Sequence, residues 1–73
     1  MNKKFYSPEK VEEAIRRYCE RNGIPKREFA CRIGILPPSL SRITAGKCVS
    51  IETLARIAAL CGVSVREMLS DEI

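Results

Sequence analysis

The sequence predicts an all-α fold, a compact bundle of five short helices, on three observations. Apolar residues recur at intervals of three and four, helix start and stop signals alternate at short range, and no segment alternates apolar and polar residues for long enough to require a strand. At 73 residues, 45% hydrophobic and 30% charged, the chain holds one small domain around one core. A mean hydropathy of −0.12 has the balance of a folded soluble protein rather than a disordered tail.

The elements follow in order. Ser7-Pro8-Glu9 opens the first helix: the serine can cap, the proline lacks an N–H where none is needed, and the acid faces the positive end of the helix dipole. Val11, Ala14, Ile15, Tyr18 and Cys19 then form one apolar face, and Asn22-Gly23 stops the helix. Phe29, Ala30 and Ile33 mark a short second helix closed by Gly34. A third runs from about Pro38 to Ala45, with Leu40 and Ile43 inward and Gly46 at its end. The restriction on residues before proline sets its start within a residue or two, for a widest span of 37–45.

A fourth helix begins after Ser50, with Val49 and Leu54 spaced as a hydrophobic staple. Its expected buried face is Leu54, Ala55, Ile57, Ala58 and Cys61, and Gly62 ends it. Ser64-Val65-Arg66-Glu67 has the form of a capping box for a fifth helix, with Val63 and Met68 placed to staple it. The organisation expected is a partly flexible N-terminal arm over 1–7, a domain over 8–69 and a short tail over 70–73.

Charge is unevenly spread. The chain carries a net +4, and residues 26–47, with five basic residues and one acid, carry that same net charge by themselves; residues 48–73 are net −2. A local basic surface beside an acidic flank suits a polyanion partner. The composition excludes several other classes. No apolar run approaches the roughly 18 residues of a membrane span, and Lys3 and Lys4 precede no apolar stretch of a signal peptide, so a cytoplasmic location is expected. The four cysteines, separated by 11, 16 and 12 residues, include no CxxC pair, and no histidine exists to complete a zinc site. They are expected as core or near-core fillers. Without a histidine, a nucleophile beside a base, a glycine-rich phosphate loop or an acidic cluster, neither catalysis nor a cofactor is expected. So thin a bundle also leaves little room for a small-molecule effector site.

The central stretch, Lys26 to Ala45, reads as a helix-turn-helix. Ala30 supplies the small residue two steeply crossing helices need, and Gly34 supplies a turn residue tolerant of positive φ. Phe29, Ile33, Ile35, Leu40 and Ile43 share the core between them. In such a unit the second helix can lie in a DNA major groove while the first braces it on the backbone.

With Gly23-Ile24, Glu28-Phe29-Ala30, Ile33-Gly34-Ile35, Ser39-Leu40-Ser41-Arg42-Ile43, Gly46-Lys47, Ser50-Ile51-Glu52-Thr53-Leu54, Leu60-Cys61-Gly62-Val63-Ser64 and Met68-Leu69 in order and at matching spacing, the chain resembles the lambda-repressor-like, Cro/cI (XRE-type) helix-turn-helix proteins over residues 10–69. The resemblance implies a five-helix DNA-binding domain, usually a homodimer on a palindromic operator. It also implies that Lys26, Ser39 and Lys47 fall where relatives contact phosphates, and that Pro37, Pro38 and Arg42 fall where they read base edges.

Two departures stand out. Relatives often carry glutamine, serine or arginine where this chain has Pro37-Pro38. Proline donates no hydrogen bond, so readout there is confined to apolar contact, such as with a thymine methyl. The pair also lowers the cost of a helix start that Leu36 cannot cap. Second, many relatives pair an arginine late in the first helix with a glutamate near the end of the third. Here both are gone, replaced by Cys19 and Thr44, which are therefore expected to lie close together.

Each candidate also has a plainer reading. Phe29, Ala30, Leu40 and Ile43 are core; Arg16, Arg17 and Arg21 are the polar face of the first helix; Arg27 and Arg32 are solvated charges; Ser41 is either a surface residue or a DNA contact. The function expected is a sequence-specific DNA-binding transcriptional regulator of bacterial or phage type, a repressor, acting as a homodimer through the fourth and fifth helices and the tail, including Met68, Leu69 and Ile73. The alternative is an antitoxin-like or adaptor module of the same fold that binds protein, suggested by the loss of polar readout at Pro37-Pro38.

Overall fold

The computed structural model describes residues 6–47 and 49–69. The elements are α1 (Pro8–Asn22), α2 (Lys26–Arg32), α3 (Pro37–Thr44) and α4 (Ile51–Cys61), followed by a single 3₁₀ turn, Val65–Met68. Each boundary has a local cause. Ser7 caps α1 by accepting from the Lys10 N–H, and Ser50 caps α4 by accepting from the Thr53 N–H. At the end of α3, Gly46 adopts φ 80°, which lets its N–H reach the Ile43 carbonyl at 3.0 Å and the Lys47 N–H reach the Arg42 carbonyl at 2.9 Å. This paired closure satisfies the last carbonyls of the helix and needs a residue without a Cβ penalty at positive φ.

The core is one cluster. Phe29, Ile15, Leu54, Ile57, Met68 and Val11 are its largest fully buried side chains. α1 packs against α2, α3, α4 and the 3₁₀ turn, so it is the spine on which the other elements are set. Tyr18 meets Phe29 edge to face with ring centroids 5.5 Å apart, a favourable arrangement of the two ring quadrupoles.

The structure corrects four expectations. The fifth helix is only a 3₁₀ turn, and Ser64 makes no side-chain cap; the Glu67 N–H bonds the Ser64 carbonyl instead, at 3.0 Å. The chain leaves after one turn because Leu69 is extended and pairs with Tyr6 in an isolated antiparallel bridge. Ala55 is exposed, since it stands one helical step beyond the buried set Leu54, Ile57, Ala58 and Cys61. Cys31 is exposed for the same reason, one step past buried Ala30, whereas Cys19 and Cys61 are buried; Cys48 lies outside the described residues. Met68, expected on a dimer surface, is 1% exposed and part of the core. Leu69 beside it is half-buried, and Ile73 lies outside the described residues.

Of the expected arm, residues 1–5 lie outside the described residues, while Tyr6 and Ser7 are held. The Ser7 N–H donates to the Met68 carbonyl at 2.8 Å, and the buried Tyr6 hydroxyl donates to the Ile43 carbonyl at 2.8 Å. Tyr6 thus ties the start of the chain to the C-terminal turn and to α3. Cys19 faces the core from α1; Thr44 is half-buried, and its hydroxyl turns back to the Leu40 and Ser41 carbonyls of its own helix.

Candidate nucleic-acid interface

The turn between α2 and α3 sets the angle at which α3 is presented. Ile33 ends α2, Gly34 takes φ 80°, and the Ile35 N–H reaches back to the Ala30 carbonyl at 3.0 Å. A substituent at that φ would be strained, so glycine is required. Arg56 of α4 braces the turn from outside, with its guanidinium 3.5 Å from the Ile33 carbonyl and paired to Glu52 at 3.2 Å.

α3 starts at Pro37, with Leu36 as a cap residue that offers no side-chain bond. Pro37 and Pro38 have no N–H to leave unsatisfied, and the first available donor, that of Ser39, bonds the Leu36 carbonyl at 2.9 Å. Past the cap residue Leu36, the first turn of α3 therefore presents no free amide to an anion. With Leu40 and Ile43 buried, the 100° step per residue turns Pro38, Ser41, Arg42 and Ala45 outward, and all four are exposed. α3 carries no acidic residue.

Its two flanks differ. Pro37 and Ser41 border a small cavity of about 110 Å³ shared with Lys26, Arg27, Leu40 and Thr44. Ser39, half-buried, and Arg42 border a wider cleft of about 320 Å³ leading to Val49, Ser50 and Thr53. Lys47 is exposed, and its backbone is anchored on Arg42 by the closure at Gly46. The structure so gathers Pro37, Pro38, Ser39, Ser41 and Arg42 on one short helix, with Lys47 just past its end and Lys26 across the α2–α3 groove.

The cations are not equivalent. Arg16 and Arg17 both bond Glu13, at 2.7 and 2.8 Å, and Arg16 also reaches Glu20 at 3.0 Å. Those hydrogen bonds, that of Arg16 first, hold the Glu13 carboxyl below its ordinary range. The first helix thus neutralises Arg16 and Arg17 with its own acids. Arg32 is taken up by the Tyr18 hydroxyl at 2.8 Å and by Glu28 at 3.4 Å. Lys26 is in direct contact with Glu12 of α1. Among the described residues, Arg27, Arg42 and Lys47 form no ion pair. Positive charge free to meet a partner within the basic segment is therefore concentrated around α3.

Several contributors escaped the sequence. Glu12 pairs with Lys26 across 14 positions, and no local pattern announces that contact. Tyr6 could have been found: it stands just before the Ser7 cap with Val11 four residues into the helix, the same staple spacing that marks Val49 and Leu54. Leu36 is 72% exposed and Ile51 61%, the large apolar residues left outside the core. No group of three or more potential metal ligands is brought together among the described residues, and no helix is long and apolar enough to cross a membrane. A groove of about 350 Å³ lies between α1 and the C-terminal turn, with Ala14, Cys61 and Met68 on its walls and Glu9, Glu13 and Arg17 among its charged lining.

A family model described as helix-turn-helix matches residues 15–68, which takes in α2, α3, α4 and most of α1. No curated protein and no solved structure matches the chain.

Proposed function

The chain belongs to the lambda-repressor-like, Cro/cI (XRE-type) helix-turn-helix family of DNA-binding regulators, and on that premise we propose that it is a cytoplasmic, sequence-specific repressor that lays α3 in the DNA major groove. The observation that carries this reading is the outward strip of α3. Pro38, Ser41, Arg42 and Ala45 face solvent on a helix without acids, surrounded by Arg27, Arg42 and Lys47, cations with no ion pair among the described residues. In this arrangement Arg42 reaches base edges, guanine O6 and N7 being the best match for a guanidinium fork. Lys26, Ser39 and Lys47 hold phosphates on either side, Pro37 and Pro38 make apolar contact, and Ser41 hydrogen-bonds on the α2 side.

One short recognition helix supplies few contacts, so useful affinity requires a homodimer with half-sites about 34 Å apart. Met68 is buried and cannot serve a dimer contact, so the proposed dimer surface lies on α4, where Ile51, Ala55 and Ala59 are exposed. Light scattering that gives a monomer at high micromolar concentration on operator-length DNA counts against the dimer.

A second reading, a protein-binding module on the same fold, draws on the apolar run Leu36-Pro37-Pro38 at the front of α3. Selection from random duplexes with a salt titration separates the two. A DNA binder enriches a defined site and loses affinity steeply with salt, as displaced counterions drive association. No enriched site, together with no duplex binding at low salt, ends the DNA-binding reading.

A further inference from the structure

The front of α3 is chemically unusual for a surface that meets DNA. Leu36 is 72% exposed, Pro37 and Pro38 behind it are exposed, and neither proline has an N–H. The next amide, that of Ser39, is already bonded to the Leu36 carbonyl at 2.9 Å. The side chains of the first four residues from the cap onward therefore offer one Ser39 hydroxyl and otherwise only hydrocarbon. A turn later on the outward strip stands Arg42, a cation with no ion-pair partner among the described residues.

Of the groups in the major groove, guanine and adenine N7, guanine O6 and thymine O4 are acceptors, while cytosine N4 and adenine N6 are donors. Set against Leu36 and Pro38, each would lose water and gain no partner, which is costly. The 5-methyl of thymine is the exception: it is apolar, projects into the groove, and gains from contact with a hydrocarbon surface. The same methyl, on the same ring carbon, is present in 5-methylcytosine.

We propose that Leu36, Pro37 and Pro38 form a reader of 5-methylpyrimidines, so that the protein distinguishes thymine and 5-methylcytosine from unmethylated cytosine at the base step under the start of α3. The proposal rests on the DNA-binding reading and gives its apolar contacts a ligand. Arg42 fixes the register one turn away, and the Leu36–Pro38 surface then tests for a methyl. A consequence is that cytosine methylation creates affinity at sites where an unmethylated cytosine is rejected.

The test uses the full chain and its best duplex from random selection. Each thymine is replaced in turn by deoxyuridine, which deletes only the methyl. At one or two positions per half-site affinity should fall about four-fold, the equivalent of ~0.8 kcal/mol for one buried carbon group. At those positions a C·G pair should bind weakly, and its 5-methylcytosine form should recover about four-fold. Leu36→Ala, at a position exposed enough to leave the fold intact by circular dichroism, should shrink the deoxyuridine effect while keeping the Arg42-dependent base preference. Sequence-specific binding that ignores deoxyuridine at every position overturns the methyl reader and leaves the DNA-binding reading standing. Absence of duplex binding at low salt overturns both.

Discussion

Replacing Glu12 by glutamine should strengthen DNA binding. On the proposed reading Lys26, at the first position of α2, holds a phosphate, yet its ammonium group contacts Glu12, and the two side chains are 50% and 37% exposed. A phosphate must therefore share or displace a carboxylate already there. Half-exposed pairs of this kind are worth about 0.2–1 kcal/mol, since water and salt screen them. Removing the carboxylate charge should return that amount to the phosphate contact, about 1.5- to 5-fold in affinity per half-site. The fold should lose no more than about 1 kcal/mol. Fluorescence anisotropy on a selected duplex measures this in a four-member cycle of wild type, Glu12→Gln, Lys26→Ala and the double variant. The gain should vanish when Lys26 is absent, and Lys26→Ala alone should lower the magnitude of the salt slope by about one. An equal gain with and without Lys26 would mean that only net charge has changed. No gain from Glu12→Gln and no loss from Lys26→Ala would remove Lys26 from the interface.

Arg42→Ala should cost about 1–3 kcal/mol and relax preference at one base position, whereas Lys47→Ala should weaken binding to all sequences alike and reduce the salt slope by about one; selection followed by salt titration of both variants separates the roles, and identical effects would make Arg42 a phosphate clamp. Tyr6→Phe should destabilise the fold by about 1 kcal/mol, since the Ile43 carbonyl keeps the Gly46 N–H after the phenol is lost. In a thermal melt that is a fall in Tm of about 6 °C for a domain of this size. Gly46→Ala, forced to φ 80°, should cost about 1–2 kcal/mol by the same assay. Burial pushes the Cys61 thiol up to about 11 from 9.0. Between those values the unfolded chain has released the proton that the folded chain retains, so stability should decline as pH rises from about 9 to 11. Cys61→Ala should flatten that decline in denaturant titrations at several pH values.

What the sequence revealed and what it concealed divide along a physical line. Helix starts and stops are local: a serine that caps, a proline at the first position and a glycine after the last turn act on their own neighbours. The limits of α1 and α4 follow from Ser7, Gly23, Ser50 and Gly62 as written. α3 spans Pro37–Thr44 because the prolines suit a helix start that has no cap. The fifth helix failed because its fate is not local. Ser64 and Glu67 have the spacing of a capping box, but Leu69 is drawn into a bridge with Tyr6, 63 positions earlier in number, and the backbone closes as a 3₁₀ turn instead. Periodicity also overreached by one residue at Ala55, since a small residue beside an apolar stripe satisfies the pattern from either side.

At the interface the same division holds. The residue types on α3 and their outward order could be read from the chain, because burial of Leu40 and Ile43 fixes the rotation of the helix. Which cations remain available could not. Glu12 meets Lys26, and Tyr18 takes Arg32, through contacts 14 residues apart that depend on how α1 and α2 cross. Net charge counted all these cations alike; the fold separates those that are engaged from those that are free.

The joint between Tyr6, Ser7, Met68 and Leu69 gives the domain a single seam. Its two sides come from residues far apart in the order of synthesis, so Tyr6 and Ser7 wait for nearly the whole domain before Leu69 and Met68 exist. Trimming the chain back past Leu69 and trimming it forward past Tyr6 open the same seam, and either cut also loosens the hold on the Ile43 carbonyl at the back of α3. Damage at either margin is thus transmitted to α3.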